Sequence, residues 1–158
     1  MKRQVAKGLT MLMLVVGLAL ASAVAANGQS GRQLRARVPF DFIVADRTLR
    51  SGQYEVWKAN SAGNVLSIRD ADGSGRAMRL TSPVTENNRQ DMNAKLVFHR
   101  YGSTYFLSQV WLAGENGGRE FAKTKQERSL EYELKKIAAY HGDPRPVYEV
   151  VEVIASAW

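Results

Sequence analysis

The sequence predicts a mainly β domain, either an antiparallel sandwich or a partly open barrel of about seven strands, with one amphipathic helix near the C-terminus. Short apolar segments alternate with polar residues at a period of two, which is typical of strands with one buried face. Turn signals rich in Gly, Asn and Asp separate these segments at short intervals. The period changes to that of a helix only after Thr124.

The N-terminal segment is expected to be a cleaved signal peptide spanning residues 1–26. Met1–Lys7 carries three positive charges, and Leu9–Ala21 is an uncharged, mostly apolar run. Small residues follow, so cleavage is expected after Ala25 or Ala26. An uncleaved membrane anchor remains the alternative, because the apolar segment approaches the length that spans a bilayer. Either way the chain is predicted to be exported, to the periplasm, the cell surface or the medium.

Composition limits what the exported part can be. The chain has no cysteine, which excludes disulfides, thiolate catalysis and cysteine metal sites. After cleavage 132 residues remain, enough for one domain with a real core, predicted as a flexible leader over 27–34 and a single β-rich domain over 35–158. The signal holds three of the 22 basic residues and none of the 15 acidic ones, so the formal charge falls from +7 to +4. This modest charge argues against nucleic acid as a partner and leaves an anionic envelope polymer or lipid surface as a milder alternative.

The first predicted strand runs through Val38, Phe40, Phe42 and Val44, which alternate with more polar residues and would face the core. Pro39 lacks an N–H and indicates a strand start or an edge position. A turn is expected over 46–52. Six further strands follow from the same alternation and turn signals, over 53–59, 65–70, 76–81, 95–101, 104–112 and 147–154.

Two hairpins and a long loop connect these strands. Asp72-Gly73 and Gly102-Ser103 are dipeptides suited to tight hairpin turns. The polar segment 82–94 lacks periodicity and is predicted to be a loop. In the strand 104–112 both faces are apolar, which predicts a central strand covered on both sides. Alternation assigns Tyr105, Leu107 and Trp111 to one face and Phe106, Val110 and Leu112 to the other.

The helix is predicted over about 124–141. Thr124 and Glu127 have the spacing of a capping box at its start. Residues at helical spacing form an apolar face, so the helix is expected to pack through Leu130, Leu134 and Ile137. On the opposite side Glu131 and Lys135 have the spacing of a favourable ion pair. Gly142 is expected to end the helix.

Metal and nucleophile signals are weak. Asp70–Gly75 resembles the start of a calcium loop, but the twelfth position is Thr81 instead of a carboxylate, so a plain hairpin turn is predicted. His99 has no second histidine or acidic neighbour at ligand spacing and is interpreted as a buried or hydrogen-bonded structural residue. His141, at the predicted helix end, suits the helix dipole. Ser103 and Ser108 lack the setting of a nucleophile elbow.

Three larger sets of residues are candidate sites. Five carboxylates could serve glycoside hydrolysis, but nothing in the sequence pairs them across a cleft. The aromatic residues of the strands could stack on sugars and are interpreted mainly as packing, and the arginines mainly as solvated surface. The sets are Asp41, Asp46, Glu55, Glu115 and Glu120; Trp57, Tyr101, Tyr105 and Trp111; and Arg35, Arg37, Arg76, Arg79 and Arg100. No catalytic, cofactor or metal residue is predicted.

A set of motifs resembles a family of small exported bacterial proteins to which no activity is assigned. The motifs lie between Arg37 and Leu130. They are Val38-Pro39-Phe40-Asp41-Phe42, Leu49-x-x-Gly52-x-Tyr54-x-Val56, Leu96-Val97-Phe98-His99-Arg100-Tyr101-Gly102 and Tyr105-Phe106-Leu107-Ser108-x-Val110-Trp111, followed by Gly118-Arg119-Glu120, Lys123 and Glu127-Arg128. The resemblance implies a secreted β-rich domain and brings no catalytic residues.

The leading functional hypothesis is therefore an exported, non-catalytic domain of the envelope or the medium with a binding or structural role. Its partner is unknown, with an envelope component or a polysaccharide as candidates. A small hydrolase acting on envelope polymer or sugar is one alternative. A carrier that holds a small apolar ligand inside a barrel is the other.

Overall fold

Eight strands of the computed structural model close into an antiparallel barrel, and two further short strands pair alongside one strand of its wall. The structure describes residues 33–85, 93–140 and 146–157. Its strands are β1 (Gln33–Val38), β2 (Phe42–Val44), β3 (Arg47–Leu49), β4 (Gly52–Lys58), β5 (Val65–Asp70), β6 (Arg76–Thr85), β7 (Ala94–Tyr101), β8 (Thr104–Trp111), β9 (Gly117–Phe121) and β10 (Glu149–Ala157), and its helix is α1 (Lys125–Tyr140).

The order around the barrel is β1-β4-β5-β6-β9-β8-β7-β10, and β10 pairs back onto β1. The mainly β, antiparallel class with one helix near the C-terminus is thus confirmed. The barrel is closed instead of partly open, because β8 and β9 join the two halves of the sheet. The described residues form ten strands instead of the predicted seven, because the first predicted strand is divided, Arg47–Leu49 is a strand inside the predicted turn, and Gly117–Phe121 is also a strand.

The division of that first strand is a correction to the continuous strand predicted over 38–44. β1 ends at Val38, directly before Pro39, and the chain leaves the barrel wall there. β2 then begins at Phe42 and meets β8 in parallel, with Ile43 opposite Phe106. The proline cannot donate to a sheet ladder, which explains the break.

β2 and β3 form a two-residue hairpin in place of the turn predicted over 46–52. Val44 pairs with Arg47, and the two residues between them have positive φ angles, 51° at Ala45 and 60° at Asp46. Positive φ at both positions is the geometry of a type I′ turn, whose backbone twist suits a hairpin. Aspartate tolerates this conformation, but alanine has a Cβ that crowds its own backbone there.

Ala45→Gly is therefore expected to stabilise the protein, by about 0.5 to 1 kcal/mol, because it relieves the left-handed strain at φ 51°. Urea unfolding would measure the change. Ala71→Gly is the matched control in an exposed turn without positive φ, and it is expected to destabilise slightly. Equal losses in the two variants would contradict the assignment of strain to Ala45.

Aromatic side chains from the β2 segment fill one part of the barrel interior. The Phe42 ring makes edge contacts with Tyr54 of β4 at 5.0 Å and with Phe98 of β7 at 5.3 Å, measured between ring centroids. Phe40 stacks on Tyr105 at 3.8 Å. The contacts of Phe42 thus connect β4 with β7, which lie three strands apart in the ring. The predicted inward direction of Phe40 and Phe42 is confirmed, although the two residues do not belong to one strand.

β8 is covered on both faces, as predicted, but the division of its residues was wrong. A bulge interrupts its pairing with β7, so that Val97 is opposite Gln109 while Phe98 is opposite Leu107. The extra residue shifts the alternation. Leu107 and Val110 therefore both belong to the interior cluster, whereas Trp111 lies on the outward side, across from Gly118 of β9.

Several other boundaries differ from the prediction. Gln33 and Leu34 already belong to β1, so the leader is shorter at its C-terminal end. Ser82–Thr85 extends β6, because its backbone pairs with β9, and Ala94 begins β7. The last strand starts at Glu149 instead of Val147. The predicted signal and the rest of the leader, the centre of the loop at 86–92, and His141 and Gly142 lie outside the described residues.

Helix α1 packs on the outside of the barrel against β2, β7 and β8. Leu130 and Leu134 are partly buried there, against a cluster formed by Ile43, Tyr101 and Phe106. The prediction that Ile137 also packs is wrong, because its side chain is 55% exposed. The apolar contact of the helix with this cluster is thus made by Leu130 and Leu134 and does not extend to Ile137. No helix among the described residues is long and apolar enough to cross a membrane.

Candidate functional sites

The first candidate site is a buried polar cluster between α1 and the outer surface of β7. His99 Nδ1 lies 2.9 Å from Glu127 Oε1, and both residues are buried. The Tyr101 hydroxyl donates to the same carboxylate oxygen at 3.4 Å. His99 and Tyr101 share one face of β7, two residues apart. Glu127, in the first turn of α1, contacts both of them.

Thr124 is the reason why Glu127 occupies this position. The Thr124 hydroxyl accepts a hydrogen bond from the Glu127 backbone N–H at 3.0 Å, which is the helix cap that the sequence predicts. In a full capping box the glutamate would turn back to the cap. Here its carboxylate turns to the barrel instead and ties the helix to His99.

The aromatic ring of Tyr148 covers the other side of this cluster. Its centroid lies 4.2 Å from the His99 ring, and the Lys123 ammonium lies 5.2 Å from the Tyr148 centroid. Lys123 in turn donates to Glu131 at 2.7 Å, and Lys135 donates to the same carboxylate at 2.8 Å. The predicted pairing of Glu131 with Lys135 is thus confirmed, with Lys123 as an additional partner.

Two groups of this cluster have shifted pKa values. Hydrogen bonds from Lys123 and then Lys135 lower the pKa of Glu131, so this carboxylate keeps its charge well into acid. Burial, followed by the negative charge of Glu127, raises the pKa of Tyr101 above its ordinary value. The phenol therefore stays protonated and serves as a hydrogen-bond donor.

The chemistry of the cluster favours structure over catalysis. The prediction that His99 is a buried, hydrogen-bonded residue pointing away from the Phe98 face is confirmed. A histidine oriented by a carboxylate would also suit a general base, which needs a nucleophile within hydrogen-bond reach. The residue opposite His99 on β8 is Phe106, and the nearest candidate nucleophile on that strand, Ser108, lies two positions further along. Sequence reasoning missed the contact with Glu127, because 28 residues separate the pair and the helix cap already explained the glutamate.

The second candidate site is the outward face of β4, β5 and β6. Its central cross-strand row runs Arg35, Glu55, Arg69 and Arg76 in register from β1 to β6. Glu55 accepts a hydrogen bond from Arg69 and another from Arg35, both at 2.7 Å, and these bonds lower its pKa. The row carries three cations for one anion, so it stays positive.

A less polar row runs beside it. Trp57 is opposite Ser67, and Ser67 is opposite Met78. Met78 is 49% exposed, and Leu80, two residues further on the same face of β6, is 63% exposed. We call the six outward residues Trp57, Ser67, Arg69, Arg76, Met78 and Leu80 the outer platform. It combines exposed apolar side chains with cations, which are residue types enriched at interaction surfaces.

Ser67 carries a buried hydroxyl without a hydrogen-bond partner at the centre of the platform. The residue is 0% exposed, and no group of the described residues makes a hydrogen bond to its Oγ. Burying a hydroxyl without a partner costs free energy. Ser67→Ala is therefore expected to raise the free energy of unfolding by about 1 kcal/mol.

Thr81→Val is the matched control for that measurement. The Thr81 hydroxyl is also buried but donates to the Asn64 carbonyl at 2.9 Å, so its removal is expected to destabilise by about 1 kcal/mol. Urea unfolding of the two variants should thus give changes of opposite sign. A loss of stability in Ser67→Ala would mean that its hydroxyl is satisfied.

Four of the five candidate carboxylates are engaged by separate partners. Asp41 accepts from the Ser51 backbone N–H at 2.7 Å, Asp46 pairs with Arg79 at 3.1 Å, and Glu115 pairs with Lys58 at 2.6 Å. Glu55 belongs to the arginine row. Glu120 lies on β9 beside a shallow cavity of about 260 Å³. None of these contacts joins two of the five residues.

The four candidate aromatic residues are also separated, as the packing interpretation predicts. Tyr101 and Trp111 are buried, Tyr105 stacks on Phe40, and Trp57 belongs to the outer platform. The guanidinium of Arg69 lies 5.3 Å from the centroid of the Trp57 ring and covers one face of it.

The candidate arginines do not form one basic face. Arg35, Arg37 and Arg76 lie on the outward side of their strands, whereas strand alternation directs Arg79 and Arg100 to the opposite side. Arg79 reaches Asp46, and Arg100 pairs with Glu149 at 3.1 Å. Of these five arginines, Arg35 and Arg76 lie in the cross-strand row beside the outer platform, and Arg37 lies on the same outward side.

The Asp70–Gly75 segment is a hairpin turn, as predicted. The Asp70 carboxylate accepts from the Asp72 backbone N–H and from the Ser74 hydroxyl, and Gly73 has a φ of 75°. Across the described ranges, no group of three or more His, Cys, Asp or Glu residues is placed to hold a metal ion.

The fold and the two sites define an eight-stranded antiparallel barrel with a helix tied to its wall and a basic, partly apolar outer platform. Comparisons of the chain with protein-family models, with curated proteins and with solved structures found no match. What the protein does therefore has to be inferred from the chemistry of its surfaces.

Proposed function

We propose that the protein is an exported, non-catalytic binding domain that engages an anionic component of the cell envelope through the outer platform. One observation carries the proposal: Met78 and Leu80 are 49% and 63% exposed directly beside arginines on a continuous sheet face. A chain of this size exposes such apolar groups at a cost, and contiguous ones are typical of interaction sites. The adjacent positive row favours an anionic partner.

The interior and the carboxylates support binding over the two alternatives. An eight-stranded barrel has an interior just wide enough to be filled by side chains or to hold one small ligand. The aromatic contacts of Phe42 with Tyr54 and Phe98 occupy that space from wall to wall, which favours a solid core over a carrier. Because four of the five candidate carboxylates have separate partners, the set offers little support for paired-acid hydrolysis.

Cell fractionation with intact mass measurement tests the export part of the proposal. The expected result is a processed chain beginning at Ala26 or Asn27 that remains with the envelope at low salt and is washed off by high salt, because its attachment is electrostatic. A full-length chain that only detergent releases would overturn the proposal in favour of a membrane anchor. Turnover of an envelope polymer by the purified protein, if one carboxylate substitution abolishes it, would overturn the non-catalytic part of the proposal.

A second measurement links binding to the platform. The processed protein is incubated with washed envelopes of the producing cells, and the bound fraction is compared between the wild type and Leu80→Ser. Ile154→Ser is the matched control, because Ile154 is equally exposed, at 66%, but lies on β10, away from β6 in the ring. Only the first substitution is expected to weaken binding. Equal binding by all three proteins would place the binding surface elsewhere.

A further inference from the structure

We infer that the anionic component bound by the outer platform is a phospholipid bilayer surface; this inference rests on the proposed function. The platform places exposed apolar side chains directly beside cations, which is the combination that binds an anionic bilayer surface. Met78 and Leu80 project from the same face of β6, and the guanidinium groups of Arg69 and Arg76 lie beside them on the same outward side of β5 and β6.

Charge and exposure are matched to a lipid headgroup layer. Arg69 and Arg76 are directly opposite each other in the β5–β6 register, and the Arg69 side chain remains 50% exposed although it also bonds Glu55. Arg37, on β1, adds an exposed cation on the same outward side. Arginines at this position would meet phosphate oxygens, while the methionine and leucine tips enter the boundary between headgroups and acyl chains.

The geometry favours a bilayer over a polysaccharide. A sugar ring binds an aromatic side chain by stacking on its open face. One face of the Trp57 ring is already covered by the Arg69 guanidinium, whose carbon lies 5.3 Å from the ring centroid. A bilayer needs no such open ring and no groove, since apolar tips enter it individually from a sheet surface.

The experiment is co-sedimentation of the processed protein with lipid vesicles. One set of vesicles is phosphatidylcholine alone, and the other contains one-third phosphatidylglycerol. The expected result is binding to the anionic vesicles, loss of that binding in high salt, and little binding to neutral vesicles. Leu80→Ser is expected to weaken the apparent affinity about tenfold because it removes an inserted apolar side chain. Arg76→Gln is expected to weaken it about fivefold.

Two control variants keep the test specific to the platform. Ile154→Ser removes an equally exposed apolar side chain on β10, and Arg128→Gln removes an exposed cation on α1. Both are expected to bind anionic vesicles like the wild type. If Ile154→Ser weakens binding as much as Leu80→Ser, the bilayer contact is not made by the platform and the inference is wrong.

The outcomes also separate this inference from the proposed function. If neither vesicle binds, but washed envelopes still bind the wild type and not Leu80→Ser, the platform has a partner other than lipid; the inference fails and the proposed function survives. Binding to a soluble uronic acid polymer that arginine variants lose and Leu80→Ser retains would likewise replace lipid with polysaccharide. If envelopes and vesicles bind all variants equally, both the inference and the proposed function fail.

Discussion

Replacing His99 with leucine is expected to destabilise the protein by about 3 kcal/mol or more, because the substitution leaves the Glu127 carboxylate buried without its closest partner. The remaining contact of that oxygen is the Tyr101 hydroxyl at 3.4 Å, which is long for a hydrogen bond to a charge. The first turn of α1 would have to lift off the barrel to rehydrate the carboxylate. Urea unfolding measures the loss, and amide hydrogen exchange in α1 reports the lifting.

The double variant His99→Leu/Glu127→Leu makes this prediction sharper. It removes both polar partners, so it is expected to be more stable than His99→Leu alone, since no charge is left buried. Glu133→Leu is the control for changing a glutamate of the same helix at an exposed position, where an effect within about 0.5 kcal/mol is expected. The single variant Glu127→Leu completes the comparison. If the losses of stability in His99→Leu and Glu127→Leu add up to the loss in the double variant, His99 and Glu127 are not energetically coupled.

Gly118→Ala is expected to destabilise by about 2 to 3 kcal/mol, because Gly118 supports the indole ring of Trp111 across the β8–β9 pair. A Cβ at residue 118 would lie 2.6 Å from the Cδ2 atom and 2.7 Å from the Cε2 atom of that ring. The ring cannot move away without cost, since Trp111 is buried and its Nε1–H donates to Gln109 at 3.0 Å. A decrease in Tm of about 10 °C is the corresponding calorimetric result.

The neighbouring glycine provides a control for this substitution. A Cβ at Gly117 would meet only the Val84 carbonyl oxygen, at 3.4 Å, so Gly117→Ala is expected to change stability far less. In a Trp111→Leu background the Gly118→Ala change should also lose most of its effect, because the ring that it clashes with is gone. A mild effect of Gly118→Ala in the wild type would show that the indole repacks freely.

Local alternation was sufficient to predict most of the barrel wall and its inward residues. Tyr54 and Val56 of β4 and Leu96 and Phe98 of β7 are buried as their period of two indicates. The prediction failed in β8, where a bulge changed the face on which Trp111 lies. A bulge depends on the partner strand, which sequence periodicity does not describe.

In the candidate sites, too, local features could be predicted from the sequence and long-range contacts could not. Thr124 and Glu127 were predicted as a helix cap from their spacing, and the hydroxyl half of that cap is present. The tie from Glu127 to His99 could not be predicted, because it depends on where α1 rests on the outside of β7. The outer platform depends likewise on the register of β4, β5 and β6, which brings Trp57, Ser67 and Met78 side by side.

The sequence by itself determined that this chain is mainly β, that its helix begins after Thr124, and that it has no cysteine chemistry, because periodicity, capping and composition are local properties. Only the tertiary structure decided that the barrel closes, that a histidine and a glutamate meet in a buried pair, and that Met78 and Leu80 remain exposed beside arginines. These features depend on contacts between residues far apart in the chain, whose free energies are set by burial and register and not by any one segment.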